Sequence, residues 1–164
     1  MLAVGSLGCA GYHLGSQTLY APEIRTVHVP IFASDSIRPE LGQLLTEAVV
    51  KEIELKTPYK VVGRNRADTI LDARIVRDLK RVQVETKQDE PRALDVDLRI
   101  EVRWTTSQGQ LLRPELALPV DDTLSRIEPS VLLVPEVGQS VASSQLQLAQ
   151  RAAEQIVAMM QVPW

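Results

Sequence analysis

One cysteine, one phenylalanine, two tryptophans and two histidines are all that this 164-residue chain holds of those types. With Cys9 as its only thiol, an internal disulfide framework and a cysteine-rich zinc site are both excluded. His13 and His28 stand outside any H-x-x-x-H spacing, so no metal site is expected. Scarce aromatics leave the core to Leu, Val, Ile and Ala. Neither sign of charge dominates: 18 basic residues are interspersed with 21 acidic ones for a net −3, which argues against nucleic acid as a partner. Charge is missing altogether between Met1 and Pro22, yet glycines, His13 and Gln17 break that stretch well short of the ~20 apolar residues a membrane-crossing helix needs. What is present, 45% hydrophobic residues, suits one sizeable core.

The uncharged start carries the most specific feature. Ser6-Leu7-Gly8-Cys9 reads as a lipoprotein processing site, in which small Gly8 admits a signal peptidase and the Cys9 thiol is acylated as the lipid anchor. Leucine and the small residue are displaced by one position from the preferred order. Residues 1–8 carry no positive charge and are too short for a basic start plus an apolar stretch of roughly 7–15 residues, so the true start is expected upstream of Met1. The expected organisation is a signal-peptide remnant at 1–8, a lipidated tether at 9–23, and a single α+β domain at 24–164.

Within that domain, period-two apolarity at Val27, Val29 and Ile31 predicts a strand over residues 24–31, with Pro30 placing its end at an edge or loop. Pro39 and Glu40 open a helix whose inner face is Leu41, Leu44, Leu45, Ala48, Val49 and Ile53 and which stops before Pro58. Residues 59–62 form a short apolar run. From Thr69 a long strand places Leu71, Ala73, Ile75 and Leu79 on one face; Val82 and Val84 then continue on even numbers, which calls for a bulge near Lys80 and Arg81 or a bend there. Leu94, Val96, Leu98, Ile100, Val102 and Trp104 alternate with charged residues without a break, one face buried and one solvated. The two long strands read as an antiparallel hairpin joined through residues 88–92, with a further strand near Leu111. Four prolines make residues 114–135 an extended loop with edge-strand fragments around Leu116 and Leu132. A second amphipathic helix runs from about Ser140 to Gln161, facing inward with Ala142, Leu146, Ala149, Ala153, Ile156, Val157 and Met160. Its outer side is largely neutral and polar, which suits either a protein contact or an ordinary solvated face. The fold class is therefore α+β, two helices packed on one face of a mostly antiparallel sheet of about four strands.

No catalytic residues emerge. Asp95, Asp97 and Glu101 are interleaved with Arg99 and Arg103 on the solvated face, where nothing raises a carboxyl pKa for general acid chemistry. No nucleophile has a plausible base, so an enzyme is not expected, and no cofactor. Lys80, Arg81, Lys87 and Arg92 gather around the far part of the hairpin as the candidate anion-binding residues, able to hold phosphate by charge-assisted hydrogen bonds. Balance by Glu85, Asp89 and Glu90 would instead make them solvated hairpin charges.

Cys9-Ala10-Gly11-Tyr12-His13-Leu14-Gly15 followed by Ile24-Arg25-Thr26-Val27-His28-Val29-Pro30-Ile31-Phe32 resembles the opening of the lipopolysaccharide-assembly lipoprotein family, LptE. Leu45-Thr46-Glu47-Ala48, Tyr59-Lys60-Val61-Val62 and Ala67-Asp68-Thr69-Ile70-Leu71-Asp72-Ala73-Arg74-Ile75 follow in that family's order. The resemblance spans most of residues 9 to 105 and rests on order more than on any one motif. It implies an outer-membrane lipoprotein on the periplasmic side, anchored through Cys9, that plugs and partners the LptD β-barrel and contacts lipopolysaccharide; Lys80, Arg81, Lys87 and Arg92 are the candidate contacts. Pro30-Ile31-Phe32 and Val61-Val62 also fit extracytoplasmic lipoproteins that activate a cell-wall synthase or assist a secretion pore. A soluble periplasmic binding module with an incidental cysteine is the third alternative.

Overall fold

In the computed structural model, residues 19–85, 91–112, 125–134, 138 and 140–161 are described. The described residues begin with a short strand, β1 (Thr26–His28), and a two-residue strand, β2 (Ala33–Ser34), reached through the segment 19–25. Helix α1 (Glu40–Lys56) follows, then β3 (Lys60–Val61), the long ribbon β4 (Thr69–Glu85) and β5 (Pro91–Thr106), the short strands β6 (Ser125–Ile127) and β7 (Ser130–Leu133), and helix α2 (Val141–Ala158).

These strands form one seven-stranded mixed sheet in the order β3-β1-β4-β5-β6, with β2 also on β4 and β7 also on β5. The two helices on one sheet are as expected, but the mostly antiparallel sheet of about four strands is corrected to a larger, mixed one. β1 runs parallel to both β3 and β4, and β2 parallel to β4, while β4–β5, β5–β6 and β5–β7 are antiparallel. The cause is α1: a crossover helix carries the chain back, so β3 runs in the same direction as β1. Antiparallel pairing prevails only from the β4–β5 hairpin onward.

α1 begins and ends where Pro39 and Pro58 place it, with Leu41, Gly42, Leu45, Val49 and Ile53 buried. Thr46 fixes its height over the sheet: its hydroxyl accepts from Phe32 N–H at 2.9 Å and donates to Gly42 O at 2.7 Å. Gly42 is required there, since a Cβ would lie 2.2 Å from Phe32 O. α2 starts with a reciprocal cap in which Ser140 Oγ accepts from Ser143 N–H at 3.1 Å and Ser143 Oγ accepts from Ser140 N–H at 2.9 Å. Its buried face is Ser144, Leu148, Ala149, Ala152, Ala153, Ile156 and Val157. Ala142 and Leu146, expected inward, are exposed, because the first turns of α2 present the 144/148 stripe to the sheet instead.

Both helices cover one face of the sheet, and no described residues form a layer over the other. The core between them is Val27, Leu71, Ala73, Ile75, Val96, Leu98, Ile100, Val102 and Trp104 against the inner stripes of the helices. Each of these larger apolar side chains stabilises the fold by about 1.5–3 kcal/mol on burial. The first strand is shorter than the alternation suggested. It ends at His28, and Ile31 is 72% exposed, because Pro30 has no N–H to extend the ladder.

The phase slip in β4 also lies elsewhere. Ile75 pairs with Ile100 and Arg77 with Arg99, so the extra residue is Val76, not one near Lys80 and Arg81. β1 and β2 have ended by that point, and the loop from β2 into α1 engages β4 through an ion pair between Arg38 and Asp78. From Val76 on, Asp78, Lys80 and Val82 stand opposite the inward residues Leu98, Val96 and Leu94, whereas Leu79 joins Arg77 and Arg81 on the open face. Further register shifts fall between Val82 and Glu85. β6 and β7 match the expected edge-strand fragments, with Leu132 exposed on the open face; Leu116 lies outside the described residues. Near Leu111 there is a single bridge to Thr105 rather than a strand.

Candidate functional site

Where β2 leaves the sheet, a groove of about 870 Å³ opens between the 35–40 loop, the β4 segment past the bulge, and the first turns of α2. Glu40 and Val141 both line it, so the N-terminal ends of the two helices meet there. The Arg38 guanidinium donates to Asp78 Oδ2 across the groove, with the two side chains only 20% and 4% exposed. Asp78 Oδ1 is buried and has no hydrogen-bond partner among the described residues. At the outer lip Arg74 donates to both oxygens of Asp35 at 2.7 and 2.6 Å. That bidentate pair holds the Asp35 carboxyl below its usual range and the Arg74 guanidinium above its own.

The open face of the sheet is a ladder of charge. Arg99 donates to Glu128 at 2.6 Å, Arg126 lies 3.9 Å from Glu101, and Arg81 lies 3.8 Å from Asp97. Arg77 stands directly opposite Arg99 in the ladder, and no carboxylate of the described residues pairs with it. Such exposed pairs contribute little individually.

The opposite end of the molecule holds the entering chain. Tyr20 packs edge-on against Tyr59 at 5.5 Å, and Tyr59 leans on Trp104 at 6.2 Å. Tyr59 Oη accepts from Ala21 N–H at 3.1 Å, and burial pushes its phenol up to about 12. Asp68 accepts from Arg25 N–H at 3.0 Å and Thr26 N–H at 2.9 Å, which holds its carboxyl below the usual range. His28 Nδ1 lies 3.1 Å from Val62 O and serves strand pairing.

The expected anion-binding set is only partly brought together. Lys80 lines the groove on the helix side, while Arg81, its neighbour, projects onto the open face beside Asp97. Arg92 belongs to β5, and Lys87, like Cys9, lies outside the described residues. The reading of residues missed Arg38, Asp78 and Arg77. Arg38 and Asp78 are 40 positions apart, and Arg77 gains its position only through the bulge at Val76. The switch of apolar residues from odd to even numbers was the available signal, and it fixed the slip to a region, not to a residue.

Two helices roofing a curled mixed sheet whose other face is charged define an α+β scaffold shared with several bacterial proteins. Uncharacterized lipoprotein B from Nitrosomonas europaea is similar at 17% identity and a TM-score of 0.58, covering 90% of this chain and 88% of that one. A hypothetical protein from Chlamydia trachomatis is similar at 9% identity and a TM-score of 0.57, covering 82% and 94%. The PelC dodecamer from Paraburkholderia phytofirmans is similar at 11% identity and a TM-score of 0.51, covering 87% and 93%. These likenesses establish the fold. No curated protein sequence matches this chain significantly. The family model for lipopolysaccharide assembly, LptE, matches residues 24–160, and the chain belongs to that family.

Proposed function

We propose that this chain is a lipoprotein of the outer membrane, anchored through Cys9 on the periplasmic side, that assists lipopolysaccharide assembly as plug and partner of an LptD-like β-barrel. The observation that carries the reading is the LptE family match over residues 24–160, the whole span from β1 to the end of α2. Its role is one of binding and assembly, without a catalysed reaction. Lys80, Arg81, Lys87 and Arg92 are the candidate contacts for lipopolysaccharide phosphates.

Two measurements test this. Metabolic lipid labelling of the protein with its native leader is expected to disappear in Cys9→Ala; labelling that persists removes the anchor. Affinity purification from envelope extracts is expected to recover an outer-membrane β-barrel. A cell-wall synthase or a secretion pore in its place replaces the proposed role with the alternative one.

A further inference from the structure

Past Ile75, β4 is paired on one side only among the described residues. β1 and β2 occupy its other edge up to Ile75, where Asp35 N–H donates the last bond to Ile75 O at 2.8 Å. From Arg77 to Val82 the strand pairs with β5 alone among the described residues, which leaves a row of backbone donors and acceptors facing outward. The groove of about 870 Å³ runs along this bare edge, with Arg38 and Val141 above it. Ile37 is 96% exposed, Val82 48% and Val141 41%, and all three lie on the helix side. We propose that this edge receives an extended segment of a partner protein by strand addition, in line with β2, and that the segment is acidic on its outer face and apolar on its inner face.

Charge and alternation specify the occupant. Arg77 and Arg81 flank the edge on the open face; Arg77 faces Arg99, whose own carboxylate is Glu128, and has no anion of its own among the described residues. Carboxylates at alternate positions of an added strand meet this row, as opposite charges do across paired strands. On the helix side the intervening residues of that strand meet Ile37, Val82 and Val141 beside the Arg38–Asp78 pair. A second copy of this chain is a poor occupant. Antiparallel pairing of β4 with itself about Leu79 sets Arg77 against the copy's Arg81 twice over, and like charges directly opposite are unfavourable. Positive charge on the edge thus opposes self-association while admitting an acidic strand, whose main-chain bonds supply affinity and whose alternate side chains supply selectivity. The proposal rests on the sheet edge and stands whether or not lipopolysaccharide is the cargo.

The test uses three capped ten-residue peptides with the full chain: one alternating Glu and Val, one alternating Lys and Val, and the Glu/Val peptide N-methylated on every second residue. Saturable binding of the Glu/Val peptide is expected, with new hydrogen-exchange protection confined to amides of residues 77–82 and no binding of the other two. In Arg77→Glu/Arg81→Glu, both exposed positions on the open face, affinity for the Glu/Val peptide is expected to fall about tenfold or more and the Lys/Val peptide to bind. Ile37→Ser provides a second variant remote from the ladder and is expected to weaken binding without changing the melting temperature. The proposal is overturned by absence of binding, by protection that lies along the helices, by binding indifferent to N-methylation or charge reversal, or by a dimer already protecting residues 77–82 before peptide is added.

Discussion

The two halves of the β4–β5 ribbon share one ladder and differ in almost everything else. Before Val76 the inward residues of β4 are Leu71, Ala73 and Ile75, all buried under the helices. After it they are Asp78, Lys80 and Val82, although the facing residues of β5, Val96 and Leu98, remain buried and apolar. Strand pairing alone therefore does not make a core. A strand's inward face becomes apolar where a second layer covers it, and both helices begin level with Asp78 and Lys80 at the groove. The roofed half holds the molecule together, whereas the half beyond the bulge carries free charge, an open edge and exposed aliphatic side chains.

The contrast is most easily broken by truncation. Ile75→Ala, at a fully buried site, is expected to cost about 3 kcal/mol in urea unfolding, against no more than ~0.5 kcal/mol for Val82→Ala. Similar losses at the two sites would erase the distinction. The seam between the halves is probed next by the Arg38–Asp78 pair. Arg38→Ala strands a carboxylate that is 4% exposed and is expected to cost about 2–3 kcal/mol, more than Asp78→Ala, which leaves a guanidinium able to reach solvent. The reverse order would mean that the groove is wetter than its geometry indicates.

The roof itself is sharpened by glycine substitution. Gly42→Ala brings a Cβ against Phe32 O and is expected to lower stability by about 2 kcal/mol, while Gly63→Ala, with nothing within 4 Å, is expected to be near neutral. Thermal melts of the two proteins provide the comparison. Smallest in extent are the effects of pH, confined to the ends of the range. Asp35 and Asp68 titrate below their usual value when folded, so as pH falls through and below about 4 the unfolded chain takes up protons first and stability drops. Tyr59 moves the other way: between its ordinary 10.0 and about 12 the unfolded chain ionises first, so stability falls as pH rises across that window. Phenolate absorbance during alkaline titration is expected to show one tyrosine ionising together with unfolding, and that late component should vanish in Tyr59→Phe.

Much of the scaffold was legible from local pattern. Pro39 and Pro58 bracket α1, Ser140 marks the start of α2, and the alternation from Leu94 to Trp104 identifies β5 and its faces. These features depend on backbone restriction and on period, both of which are carried by neighbouring residues. The position of β1 was legible in its alternation but its parallel direction was not, since that follows from the α1 crossover, and the two-residue strands β2 and β3 leave no periodic signal. Of the candidate site, Lys80 and Arg81 were found as charges, but which face each occupies depends on where the bulge falls.

Sequence by itself determined the class of fold, the two helices and their ends, the long hairpin and the family to which residues 24–160 belong. It did so because propensity, capping and hydrophobic period are short-range properties. Only the tertiary structure decided that Val76 is the extra residue, that Arg38 reaches Asp78, and that Arg77 faces Arg99 beside a bare strand edge. Each of these depends on where one strand stops and another layer begins, and that is set by packing between segments tens of residues apart.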